Sequence, residues 1–142
     1  YIGNFVGSFI LGGLFVWSNA SHQILVDYYR SFIYTKLDAT PMELFIRGVL
    51  CNFLVCLAVY TGMKLKSESG KMIMMFCIIT AFVLAGFEHC VANMGTFTIG
   101  YMLLGDIGTA AVIKSQFFVT LGNIVGGAVL LAFPLKQMSA EH

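Results

Sequence analysis

The chain is 142 residues long, 58% hydrophobic and 11% charged, with a positive mean hydropathy. That composition excludes an ordinary water-soluble domain and predicts an integral membrane protein in a lipid bilayer. Eight Lys and Arg against seven Asp and Glu leave no basic excess for a nucleic-acid partner.

Tyr1 lies already inside an apolar helix pattern, with no Met and no charged leader before it, so the chain reads as a fragment. Tyr1–Trp17 is apolar, and Gly3, Gly7, Gly12 and Gly13 offer small faces for close helix packing. Trp17 suits the interfacial belt. Segment 18–42 is mixed and polar, with His22, Asp27, Arg30, Lys36 and Asp38. It reads as an extracytoplasmic connecting loop, holding at most a short amphipathic turn at Ile24–Ile33. Asn19-Ala-Ser21 within it matches a glycosylation sequon, a pattern common by chance.

Thr40 and Glu43, with Pro41 between them, read as a capping box opening a helix from Met42 to Met63. The connector Lys64–Lys71 is short and basic, and Val112–Leu135 is the last span, stopping at Pro134 and Lys136. The three lysines of that connector, with Lys136, put both it and the C-terminal tail 136–142 in the cytoplasm. Cys51, Cys56, Cys77 and Cys90 all lie in apolar segments and read as small buried hydrophobes. No CxxC or Cys/His ligand set occurs, so no metal, disulfide or cofactor is expected.

Polar chemistry concentrates in one place. From Met72 to Gly105 the only charged or imidazole side chains are Glu88 and His89. A straight helix of that length would run about 50 Å, against a hydrocarbon core of about 30 Å. The pattern therefore predicts a broken helix over 71–105, with the break at Gly86 and the second half starting near Phe87. Ionisable groups at such depth face a bundle interior or a water-filled cavity, and a half-helix N-terminus there attracts anions. Adjacent helical residues point about 100° apart, so Glu88 and His89 cannot both line one pore. Glu88 reads as a structural acceptor for backbone N–H groups at the break. Asn93, four residues beyond His89, falls on the same helical face.

Tyr1-Ile-Gly-Asn-Phe-Val-Gly-Ser resembles Thr120-Leu-Gly-Asn-Ile-Val-Gly-Gly, matching at Gly3/Gly122, Asn4/Asn123, Val6/Val125 and Gly7/Gly126. Counted through the spans, the two copies run in opposite directions, the mark of an inverted-topology repeat. Residues 1–17 then close the first repeat and 43–135 form the second. On equal repeat lengths roughly 75 residues of the first unit precede Tyr1.

Gly86-Phe-Glu-His-Cys-Val-Ala-Asn-Met94 resembles the formate/nitrite transporter family, whose pattern there is close to GFEHSIANM. Arg47-Gly-Val-Leu-Cys-Asn-Phe-Leu-Val-Cys-Leu-Ala-Val59 is similar to that family's fourth helix, and Gly122-Asn-Ile-Val-Gly-Gly to its last. The resemblance implies an all-α membrane protein, an inverted-repeat six-helix channel protomer with a broken fifth helix, of which this chain supplies helices three to six. It implies a homopentamer in a bacterial inner membrane, not an enzyme, with one pore per protomer for small monovalent anions such as formate, nitrite, hydrosulfide or lactate. On the family's spacing His89 is the central pore histidine, Asn52 and Asn93 its polar neighbours, and Lys36 the loop lysine that draws anions in. Val55 and Phe82 contribute to the apolar constrictions. By residue type alone, Asn52 reads equally as interhelical glue, Lys36 as a solvated charge, and Val55 and Phe82 as packing residues. Two departures stand out: Cys90 replaces the usual Ser, and Gly-Thr-Phe-Thr after Met94 lacks the family's Pro.

Two other classes fit less well. A redox subunit using His89 as a haem or quinone ligand would need, for bis-His haem, a second intramembrane histidine, and only His22 and His142 are available. A neutral-solute channel of the aquaporin type would carry Asn-Pro-Ala at its half-helices, and that tripeptide is absent.

Overall fold

The structure, a computed structural model, describes residues 1–20 and 22–140. They form helices and, among the described residues, no strand: α1 (Ile2–Trp17), α2 (His22–Leu37), α3 (Pro41–Lys64), α4 (Glu68–Leu84), α5 (Cys90–Leu104) and α6 (Thr109–Ile124). A π-helical stretch, Val125–Ala132, carries α6 on into α7 (Phe133–Ala140). Pro41–Lys64 and Thr109–Ser139 are each long and apolar enough to cross a bilayer, while α1 and α5 are shorter apolar helices.

The expected elements are present, with three corrections. Segment 18–42 is not a loop with one turn: residues 22–37 form a 16-residue helix. No Gly or Pro interrupts 18–40, and Val26, Tyr29, Ile33 and Leu37 fall on one face whose last two members are buried. The second half of the broken helix begins at Cys90, three residues later than Phe87. The last helix does not stop at Pro134 but continues through it to Ala140. There the proline follows eight residues of wider π turns, where the α ladder that it would interrupt is already displaced. Ser21 of the sequon and His142 lie outside the described residues.

The helices pack as two units, Tyr1–Pro41 with Cys90–Phe117, and Met42–His89 with the chain from Phe118 onward. In the first, α1 meets α5 across Gly12 and Gly13: a methyl on Gly12 would stand 3.0 Å from Thr98 Cγ2, and one on Gly13 3.5 Å from Met102 Cε. Ile33 and Leu37 of α2 bury against Phe97 and Ile107. Two polar ties hold α2 in place. Arg30 pairs with Asp106 at 3.0 Å, and Lys114 Nζ donates to the Leu37 and Ala39 carbonyls at 2.9 and 3.1 Å, satisfying the helix's C-terminal end.

In the second unit α4 opens at Glu68, ahead of the apolar run, because the Ser67 hydroxyl accepts the Gly70 N–H at 3.2 Å. Lys71 pairs with Glu68 at 2.6 Å within that first turn. The second half of α6 lies backbone to backbone against α3. A methyl on Gly48 would stand 2.8 Å from the Val119 carbonyl, one on Gly122 would overlap the Phe45 carbonyl, and one on Gly126 the Val49 carbonyl. Small residues are what permit this approach.

Candidate functional site

The break between α4 and α5 is built from the sequence upward. Gly86 has φ +69°, a left-handed conformation that costs a non-glycine residue roughly 1–2 kcal/mol. It lets the chain close α4 with two crossed hydrogen bonds, Gly86 N–H to the Val83 carbonyl and Phe87 N–H to the Phe82 carbonyl, both 3.1 Å. That is the Schellman arrangement, which satisfies carbonyls a helix end would otherwise leave bare. Gly86 is therefore the left-handed residue that follows the end of α4.

Beyond the cap, Glu88 is 2% exposed and held through its backbone on both sides. Its N–H donates to the Arg47 carbonyl of α3 at 3.3 Å, and its own carbonyl accepts from Asn123 Nδ2 at 2.9 Å. His89 follows, half-buried, immediately ahead of the first residue of α5. It thus stands beside the N-terminal end of α5, the positive end of a helix dipole.

The other expected residues divide between the two units. In the first unit Lys36 and Asn93 meet: Lys36 Nζ donates to Asn93 Oδ1 at 3.2 Å and lies 4.9 Å from the centroid of the Phe32 ring. Lys36 is not a loop lysine but the basic residue of the last turn of α2, where a cation complements the dipole. Asn93 is 2% exposed, within α5. In the second unit Asn52 Nδ2 donates to the Asn123 carbonyl at 2.7 Å, so its amide joins α3 to α6. Val55 in α3 and Phe82 in α4 are half-buried.

Two residues that the sequence reading left without a role support the site. Asn123, noted only as part of a repeat and of the last-helix motif, is 4% exposed and donates from Nδ2 to both the Gly48 and Glu88 carbonyls at 2.9 Å. Gln116 donates from Nε2 to the Cys90 carbonyl at 2.7 Å and to the Tyr1 hydroxyl at 3.0 Å, fixing the start of α5 in its own unit. Polarity in an apolar helix was the available signal for both. Among the described residues no group of three His, Cys, Asp or Glu side chains could hold a metal. An apolar cleft of about 380 Å³ between α1, α5 and α6 is walled by Phe5, Phe9, Met94, Phe97 and Met102, and none of the expected site residues lines it.

Comparison with known proteins agrees over nearly the whole chain. Residues 1–136 match the family model described as formate/nitrite transporter. The chain is 33% identical to the uncharacterized transporter YwcJ of Bacillus subtilis, covering 100% of this chain and 57% of that protein. It is 32% identical to the nitrite transporter NirC of Escherichia coli, covering 92% of this chain and 50% of that protein. Among solved structures, a pentameric formate channel with formate bound superposes with a TM-score of 0.85 at 30% identity, over 99% of this chain and 64% of that one. The chain thus spans between half and two thirds of the length of these relatives.

Proposed function

Because the chain belongs to the formate/nitrite transporter family, and so to an integral membrane protein, we propose that it forms part of a channel for small monovalent anions, with His89 as its central pore group. The observation that carries this reading is the break itself. A bilayer-embedded helix is interrupted at Gly86, and the one imidazole of the apolar run stands at the start of the next helix.

An anion in a low-dielectric constriction is very costly unless its charge is compensated or removed. The amide end of α5 and a protonated His89 supply positive potential for the first route. For the second, His89 hands the anion a proton and it crosses as the neutral acid, since histidine titrates near physiological pH. Asn52 and Asn93 are the proposed polar neighbours, Lys36 the cation that draws anions towards the pore, and Val55 and Phe82 the apolar constrictions that set its width. Glu88 and Gly86 shape the break. The relatives named for formate and nitrite point to those anions, with hydrosulfide as a third, and the pentameric neighbour supports a homopentamer. The basic connector Lys64–Lys71 favours a cytoplasmic C-terminus, in a bacterial inner membrane.

Anion flux into proteoliposomes, measured on the full-length protein beside His89→Ala, tests this reading with formate, nitrite and hydrosulfide in turn. Saturating, pH-dependent flux that His89→Ala abolishes is the expected result. A wild type that passes none of the three anions ends the channel reading. A variant that conducts like wild type returns His89 to a packing role.

A further inference from the structure

We infer that Asn123 is a positioning residue for His89. The inference rests on His89 being the pore group, and it adds a specificity-determining residue on α6, acting through the backbone of Glu88.

The geometry is that of a clamp on one peptide plane. The carbonyl of Glu88 and the N–H of His89 belong to the same planar peptide unit. Asn123 Nδ2 holds that carbonyl at 2.9 Å, while the N–H on the other side of Glu88 is held by the Arg47 carbonyl at 3.3 Å. Residue 88 is therefore gripped on both of its backbone groups, and the bond leading into His89 leaves from a fixed plane. Five residues, 85–89, separate α4 from α5, and a linker that short would otherwise be free to rotate about several dihedrals.

Asn123 is suited to the task by its chemistry and its own anchoring. A primary amide has two N–H groups; one reaches Glu88 and the other the Gly48 carbonyl, also at 2.9 Å. Its backbone carbonyl is in turn taken by Asn52 Nδ2 at 2.7 Å. The side chain is short, and reaches both acceptors only because α6 and α3 touch at backbone level around Gly48 and Gly122. A carboxylate of the same shape would have no donor for either carbonyl.

The variants Asn123→Asp and Asn123→Ser, in the full-length protein, separate positioning from mere packing. The readout is the ratio of formate to nitrite flux in proteoliposomes, a quantity that does not depend on how much protein assembles. Wild type and His89→Ala are run in parallel. A shifted imidazole alters the polar spacing on which discrimination depends, so the ratio should move about 3-fold in either variant that assembles, with total flux down about 10-fold, the scale of one lost hydrogen bond. An unchanged ratio, with flux merely scaling to assembled protein, overturns the inference while leaving the pore reading intact. If wild type shows no His89-dependent flux, the pore reading and this inference fall together. If neither variant assembles, amide exchange in wild type decides. Side-chain amide protons of Asn123 exchanging as slowly as the backbone of α3 and α6 support the clamp, and exchange as fast as that of a solvent-exposed asparagine refutes it.

Discussion

Gly122 offers the sharpest test of the packing that supports the break. In Gly122→Ala the new methyl would overlap the Phe45 carbonyl oxygen and stand 3.0 Å from the Val49 nitrogen and 3.1 Å from the Gly48 Cα. All three are backbone atoms, so no side-chain rotation relieves the contact, and α3 and α6 must separate. Overpacking of this kind costs about 1–3 kcal/mol, and a clash with rigid backbone belongs at the upper end. Alanine returns about 1 kcal/mol in helix propensity, leaving a net loss of about 2 kcal/mol. For a chain the size of the full-length relatives that corresponds to a melting point lower by about 4–8 °C.

The control lies on α3, the helix against which Gly122 packs. A methyl on Gly62 would meet only Met75 Sδ, at an ordinary 3.7 Å, so Gly62→Ala should be neutral or stabilising by about 0.5–1 kcal/mol. Both variants are heated in detergent beside wild type, with loss of the assembled protein followed by size-exclusion chromatography. If Gly122→Ala melts with wild type, or if both variants fall together, the backbone-level contact between α3 and α6 is wrong. The positioning role of Asn123 would then lose its support.

Gly86 should rank substitutions by backbone conformation rather than size. At φ +69° Gly86→Ala should lower stability by about 1–2 kcal/mol and Gly86→Asn by less, because asparagine tolerates the left-handed region; a thermal melt giving the reverse order would contradict the cap. Lys36→Met should raise the anion concentration for half-maximal flux by about 10-fold at low ionic strength, since one cation steering an anion acts on encounter. Lys36→Arg should retain most of the effect, and the difference should shrink as salt screens it. Half-saturation that Lys36→Met leaves unmoved would reduce Lys36 to its tie with Asn93.

The break was legible because its signals are local. An apolar run longer than a bilayer is thick, a glycine near its middle and an imidazole beside it sit within a few residues of one another, and the Schellman bonds from Gly86 and Phe87 close inside the same turn. The helix α2 was hidden for the opposite reason. Its composition is that of a connector, and what fixes it is remote in sequence: Lys114 reaches back 77 residues to the Leu37 carbonyl, and Ile33 buries against Phe97 and Ile107. Polarity marks a segment as outside hydrocarbon, but it does not say whether that segment is coiled or helical. Pro134 misled in the other direction. As a stop signal it assumes an α ladder to interrupt, and the π-helical turns before it had already displaced that ladder.

Asn123 shows where sequence reading gives way to structure. The match between Asn4 and Asn123 drew attention to the residue as part of a pattern, yet a pattern carries no acceptor. Its two acceptors lie 75 and 35 residues away, and both are backbone carbonyls, which have no residue identity to read. The asparagine also reaches them only because glycines at 48 and 122 remove the side chains that would hold α3 and α6 apart. A motif such as Gly122-Asn123 therefore encodes two halves of one device, the approach and the reach. Changing either half should disturb the same peptide plane ahead of His89. On this logic Gly122→Ala and Asn123→Ser should shift the formate-to-nitrite ratio in the same direction, and the double variant should add little to the larger single effect, because residues acting through one contact are not additive. Independent, additive shifts would mean that the glycine and the asparagine serve separate ends.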